Sequence, residues 1–266
     1  MLDLRLRMGW PSARQHQLGV TTLLNIQTSR LPSLMAGKIQ RMNLLALETS
    51  TDAGSIALWR DGEVLLRACP AGVSHSETLL PLISATMAEA GLGFADLQGI
   101  AFGAGPGSFT GLRVACGVAQ GLAFAQDLPL IPVGTLDAMA LASGGERVIV
   151  ALDARMGEVY FGYFEAGMSL GTVGVYPPAA VPLPDNGGWL ACGNGLAAYP
   201  ALHERLAPFV TAWLPDLMPS AAAVARLAVP RLARGEGVDP ADAAPLYVRD
   251  KVAKTVAERL AEGGKA

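Results

Sequence analysis

The sequence predicts an α/β fold made of two related halves. Two observations carry this prediction. First, a buried-strand signal ending in an acid occurs twice. NLLALETSTDAGSIALWRDGEVL ends its first strand at Glu48, and VIVALDARMGEVYFGYFEAGMSL ends its first strand at Asp153. In each copy a short polar turn leads to a second strand, a turn and a third. A repeat about 100 residues further along the chain argues for two copies of one unit. Second, the strands of the first copy are followed by alternating helix and strand signals. Each half therefore reads as ribonuclease-H-like, and two such subdomains facing a cleft form the actin-like ATPase (ASKHA) architecture, shared with sugar kinases. The boundary falls near the glycine-rich SGGER at 143–147, dividing a subdomain at 42–145 from one at 146–266.

Residues 1–41 show no clear period. They carry six Lys/Arg against one acid, Asp3, a composition superficially like a transit peptide, but they lack the continuous apolar run of a secretory signal. The character changes at Met42, so residues 1–41 read as a disordered tail or a start codon placed too early. From Met42, LLALETS is a continuous apolar strand. GSIALW and EVLLRA flank Arg60-Asp61-Gly62, and Asp-Gly between apolar runs signals a hairpin. SHSETLLPLISATMAEAGL is a helix. Ser74 with Glu77 three residues on fits a capping box, and Leu79, Ile83, Met87 and Ala90 recur at helical spacing. Pro81 removes one backbone donor and should bend that helix. LQGIAFGAG is a strand, residues 110–125 a second helix, and LPLIPVG a strand leading into TLDAMALAS. The proline-rich YPPAAVPLPDNGG at 176–188 is a surface loop.

The junction GAGPGSFTGLR, residues 103–113, looks like a phosphate cradle. The Walker template requires Lys then Ser or Thr after the last glycine, and Leu112 and Arg113 follow Gly111. In the dinucleotide template, Gly103 and Gly105 fit the first two positions, but Ser108 stands at the sixth. The structural reading is a tight turn at Gly105-Pro106-Gly107, with Ser108 or Thr110 capping the next helix. The helix start retains free N–H groups that can meet an anion.

The 266 residues are 51% apolar and 6% aromatic. The most apolar run, around 114–125, is interrupted by Gln120 and two glycines, so nothing matches a membrane span. Cys69, Cys116 and Cys192 are odd in number and far apart, with no CxxC pair. They read as buried thiols in a reducing cytoplasm. Beyond residue 41 the chain is net acidic, which argues against independent nucleic-acid binding.

Five motifs in order, LLALETST, SHSETLLPLI, GPGSFTGLRVACGVAQGLA, PLIPVGTLDAMA and APLYVRD, resemble the TsaB (YeaZ) family from Met42 to about Lys254. That family supplies the dimerization subunit of the bacterial machinery that makes threonylcarbamoyladenosine in tRNA. The resemblance implies two actin-like subdomains and a non-catalytic scaffold that binds the catalytic subunit TsaD. It implies the ATPase TsaE and tRNA as partners reached through that complex, and a homodimer when TsaD is absent. TsaD holds a metal with a His-x-x-x-His pair on the helix after a strand. Thr135 and Met139 stand there in this sequence, and a hydroxyl with a thioether is a poor first shell for a hard or borderline cation. No catalytic, cofactor or metal residue is therefore assigned. The resemblance places the first two helices in a helical bundle shared with the partner. Its candidate contacts are His75, Leu79, Leu82, Ile83 and Met87 on the first helix. On the second they are Arg113, Val114, Gly117, Val118, Gly121 and Leu122. Two helix-interior glycines each cost ~1 kcal/mol relative to Ala, so close approach should return something.

Two other functions compete. A peptidase would need Ser108, His75 and Asp137 in one triad with an oxyanion hole, whereas Ser108 reads as a cap and His75 as a hydrogen-bonding surface or interface residue. His16 lies in the basic segment and His203 on an exposed helix face, so a His-based metal site is not predicted. A small-molecule ATPase of the actin or sugar-kinase type would use Glu48 and Asp153 as paired acids, with the Gly-containing ACGNGLAAY facing an adenosine. But DARMGEVY lacks the glycine-rich character of a phosphate loop. Asp153 reads instead as an acceptor for backbone N–H groups or a partner for Arg155.

Overall fold

The structure, a computed structural model, describes residues 42–249; residues 1–41 and those from Asp250 onward lie outside the described residues. The first sheet comprises β1 (Asn43–Glu48), β2 (Ser55–Arg60), β3 (Glu63–Ala68), β4 (Gly99–Gly105) and β5 (Leu130–Gly134), in the order β3-β2-β1-β4-β5. β2 is antiparallel to both β1 and β3, β4 is parallel to β1, and β5 is parallel to β4. The second sheet comprises β6 (Arg147–Arg155), β7 (Glu158–Glu165), β8 (Met168–Ser169), β9 (Gly174–Tyr176), β10 (Trp189–Cys192) and β11 (Val210–Leu214). Its order is β11-β10-β6-β7-β8, with β9 also paired to β7. Here too a central strand has an antiparallel neighbour on one side and two successive parallel strands on the other. The sequence repeat is thus a repeat of topology.

Local chemistry explains the element ends. Arg60 pairs with Glu63 across a two-residue turn in which Asp61 has φ 50 and Gly62 φ 92. This is the left-handed turn that matches the twist of a hairpin. Helix α1 (His75–Ala90) ends at Gly91, φ 66, whose N–H donates to the Ala88 carbonyl. Helix α2 (Phe109–Gln126) starts at Ser108, whose Oγ accepts the Gly111 N–H at 3.3 Å. The capping box expected at α1 does not form. Ser74 is the N-cap, but its Oγ lies 2.8 Å from Ser76 Oγ, and it is the Ser74 carbonyl that accepts the Glu77 N–H. A neighbouring hydroxyl competes for the same lone pairs.

Strand β1 is buried on both faces, and its alternation sorts the layers. Leu45 and Leu47 join Ile56, Leu58, Ile100 and Phe102 under α1 and α2. Leu44 and Ala46 join Ala57, Trp59 and Ala101 under helix α6 (Ala221–Ala233). In the second sheet, Val148, Val150 and Leu152 face α3 (Thr135–Ser143), while Ile149, Ala151 and Phe161 face α4 (Gly195–Ala198) and α5 (Pro200–Leu206). Helix α3 lies between the halves, with Ala138 in the first sheet's cluster and Leu136, Met139 and Ala140 in the second's.

A division at residue 146 separates the two sheets but not the two layered bodies. Helix α6, later in sequence than the second sheet, returns to the first: Ala221, Ala225, Ala228 and Val229 cover its otherwise bare face. Alanines allow that close packing, and the open sheet face demands a cover. Among the described residues no helix is long and apolar enough to cross a membrane.

Candidate functional site

Two places in this frame can carry function: the cleft between the halves, and the outer surface of α1 and α2.

The cleft encloses about 320 Å³. Its walls are the β1–β2 turn (Ser50, Thr51, Asp52), the start of α2 and the β6–β7 turn (Asp153 to Met156), with Asn194 and residues 246–249. The glycine loop that feeds it is a seat for the end of β1. A Cβ on Gly103 would overlap the Glu48 carboxylate, one on Gly107 would meet Ser50, and one on Gly111 would overlap the Thr49 carbonyl. The Thr49 hydroxyl donates to the Gly111 carbonyl at 2.8 Å, and the Ser108 N–H donates to the Ser50 carbonyl at 2.7 Å. Of the N–H groups at this helix start, that of Ser108 is given to Ser50 and that of Gly111 to the Ser108 hydroxyl.

Of the paired acids, Glu48 is buried and Asp153 is bonded within the chain. Glu48 is 1% exposed; its Oε1 accepts the Ser50 N–H at 2.6 Å, and its Oε2 has no partner among the described residues. Burial pushes this carboxyl above the ordinary carboxylate value, and the Ser50 hydrogen bonds offset only part of that. Asp153 Oδ1 accepts the Arg155 N–H at 2.9 Å and the Tyr199 O–H at 2.8 Å, while Oδ2 lies 3.5 Å from the Arg155 guanidinium. In this turn Arg155 and Met156 lie in the left-handed region, φ 59 and 57. Such a conformation persists only where surrounding contacts determine it. Asp153 thus makes both bonds foreseen from the sequence.

The peptidase triad is not assembled. Ser108 Oγ serves as the helix cap, His75 Nε2 lies 2.9 Å from the Thr51 carbonyl, and Asp137 lies against Gly134 at the start of α3. Thr135 and Met139, the pair in the metal-site position, are both fully buried. The Met139 methyl occupies the space against Gly193. Among the described residues no group of three or more His, Cys, Asp or Glu can hold a metal. Burial pushes all three thiols up, Cys192 to about 12, which disfavours the reactive thiolate.

The surface of α1 and α2 separates the contact candidates. Leu79, Ile83 and Met87 are 0–2% exposed in this chain's own core, so they are not partner contacts. The helical spacing that singled them out marks the face turned to the sheet. His75 also turns inward, packing against Gly54 and holding the Thr51 carbonyl, with Nδ1 buried. Leu82, Val114, Val118 and Leu122 are half-buried against the same core. Gly117 and Gly121 are exposed, and among the described residues nothing lies within 4 Å of a Cβ built on either. Arg113 is exposed, with its guanidinium 3.6 Å from the centre of the Phe109 ring and its Nε–H donating to the Tyr247 hydroxyl. The sequence reading missed Leu80, 50% exposed, and Phe124, 61% exposed, which flank this surface with Ser84 and Ala88. Their large apolar side chains one position off the core register were the available signal.

Two halves of the same 3-2-1-4-5 strand order around a cleft define an actin-like fold. A family profile described as TsaD, tRNA N6-adenosine threonylcarbamoyltransferase, matches residues 70–172. The tRNA threonylcarbamoyladenosine biosynthesis protein TsaB of Escherichia coli is 37% identical over 226 residues, 80% of this chain and 96% of that protein. The Haemophilus influenzae TsaB is 40% identical over 184 residues, 63% of this chain and 78% of that protein. A Pseudomonas aeruginosa crystal structure, described as an uncharacterized protein with similarity to peptidase YEAZ, is 39% identical with a TM-score of 0.71 and covers 78% of this chain and all of its own. The chain belongs to the TsaB family.

Proposed function

We propose that this chain takes part in making threonylcarbamoyladenosine in tRNA as a non-catalytic subunit. In this reading it binds a TsaD-type transferase in the cytoplasm and, through that complex, works with the ATPase TsaE and with tRNA; without TsaD it pairs with a second copy of itself. The observation that carries the proposal is the strip of α2 where Gly117 and Gly121 leave bare backbone facing open space. Nothing among the described residues uses that space, and each glycine costs helix stability. Exposed Phe124, one helical turn beyond Gly121, and exposed Leu80 on α1 supply apolar area that a partner helix would cover.

A non-catalytic role is supported by what fills the places where chemistry would occur. Thr135 and buried Met139 stand at the metal-site positions, and Asp153 is fully engaged in internal bonds. The chain would contribute by holding the transferase in a competent arrangement, which requires tighter binding to that state than to others. Reconstituted tRNA modification tests this. Transferase activity should require the chain, and the chain alone should transfer no threonylcarbamoyl and bind no stoichiometric metal. Metal-dependent ATP turnover by the isolated chain would favour a small-molecule ATPase instead.

A further inference from the structure

The described chain passes between the halves three times: through α3 into β6, from β11 into α6, and along residues 244–249 beside the cleft. Two-lobed proteins commonly hinge about such connections and close around a ligand. A third crossing at the cleft resists that motion. We propose that residues 244–249 form a strap that fixes the angle between the halves, so that this angle does not depend on a bound ligand.

The strap is anchored at both ends. On the first half, the Leu246 N–H donates to the Ala104 carbonyl at 2.7 Å, which adds the segment to the end of β4. The Tyr247 ring packs 5.8 Å from Phe109, and its hydroxyl accepts from Arg113 at 3.0 Å. On the second half, Val248 packs on the apolar cluster of the sheet. Arg249 Nη2 lies 2.5 Å from Glu158 Oε2 and 3.1 Å from the Ala154 carbonyl. The Arg249 side chain is only 17% exposed, so its ion pair is sheltered, and removing one partner of such a pair leaves the other uncompensated. The ion pair that joins the halves directly among the described residues, Arg155 with Asp52, has side chains 74% and 93% exposed and contributes little.

The residues just before the strap grip α2. Gln120 donates to the carbonyls of Pro240 and Ala243, and the Cys116 thiol lies 3.7 Å from the Ala243 carbonyl. The strap therefore joins α2 and the second half into one unit, and the cleft angle is set by the chain itself.

The test is pulsed electron-spin resonance on the full chain, with spin labels on cysteines placed at Glu63 and Met168 in a Cys69→Ser background. The parent should give one narrow distance distribution. Arg249→Ala and Glu158→Ala should each add a longer population while the far-ultraviolet circular dichroism stays unchanged. If Arg249→Ala does not fold, Glu158→Ala alone decides. A distribution unchanged from the parent in the folded variants would overturn the strap.

Discussion

The Glu48 carboxylate lies against the bare Cα of Gly103, in a slot that a single methyl group would fill. The relationship explains why a glycine stands in the middle of a fully buried strand, and it leaves Glu48 Oε2 buried without a partner. Gly103→Ala should overpack this slot and cost ~1–3 kcal/mol, read as a lower denaturation midpoint with an unchanged slope.

Glu48 should also make stability depend on pH. Burial raises its folded-state pKa above the ordinary value of 4.5, so the folded protein binds the proton more tightly than the unfolded chain. The resulting stabilisation is complete below the unfolded value and is lost as pH rises through the folded one. Glu48→Gln keeps an acceptor for the Ser50 N–H and buries no charge. It should raise the melting temperature near pH 8 and have little effect near pH 4. An equal shift at both values would show that ionisation of Glu48 is not the cause.

Gly117 and Gly121 should respond in opposite ways to small and large replacements. Because a Cβ at either position meets nothing, Ala at either should stabilise the isolated chain by ~0.4–1 kcal/mol. Gly121→Leu should leave the circular dichroism spectrum intact. It should weaken the complex with a TsaD-type transferase by about one to two powers of ten in Kd, equivalent to ~1–3 kcal/mol of overpacking. Unchanged calorimetric affinity would remove this strip from the interface.

Leu79 and Leu80 are neighbours with different surroundings, 0% and 50% exposed. Leu79→Ala should cost ~2–5 kcal/mol of stability. Leu80→Ser should change stability by no more than ~0.5 kcal/mol and weaken partner binding. If Leu80→Ser binds normally, the contact lies elsewhere on the surface.

The Ser108 cap is testable alone. Ser108→Ala should cost ~1 kcal/mol by removing the acceptor for the Gly111 N–H. Ser108→Asp keeps an acceptor there and should restore most of the loss.

Much of the frame was legible in the sequence because it rests on short-range chemistry. The Asp61-Gly62 turn, the Ser108 cap and the two strands ending at Glu48 and Asp153 follow from backbone preferences and from alternation within a few residues. The doubled topology followed from the repeat. The tertiary structure decided what depends on distant neighbours. It set which face of α1 meets the sheet, so that Leu79, Ile83 and Met87 became core while Leu80 stayed outside. It showed that the glycine loop seats residues 48–50, since a glycine's reason lies in what approaches it. It also returned α6 to the first sheet and laid residues 244–249 beside the cleft. A segment's own period reveals that it has an apolar face or a polar end, but not which of two surfaces will bury it; that choice is made by the area each surface leaves uncovered when the whole chain packs.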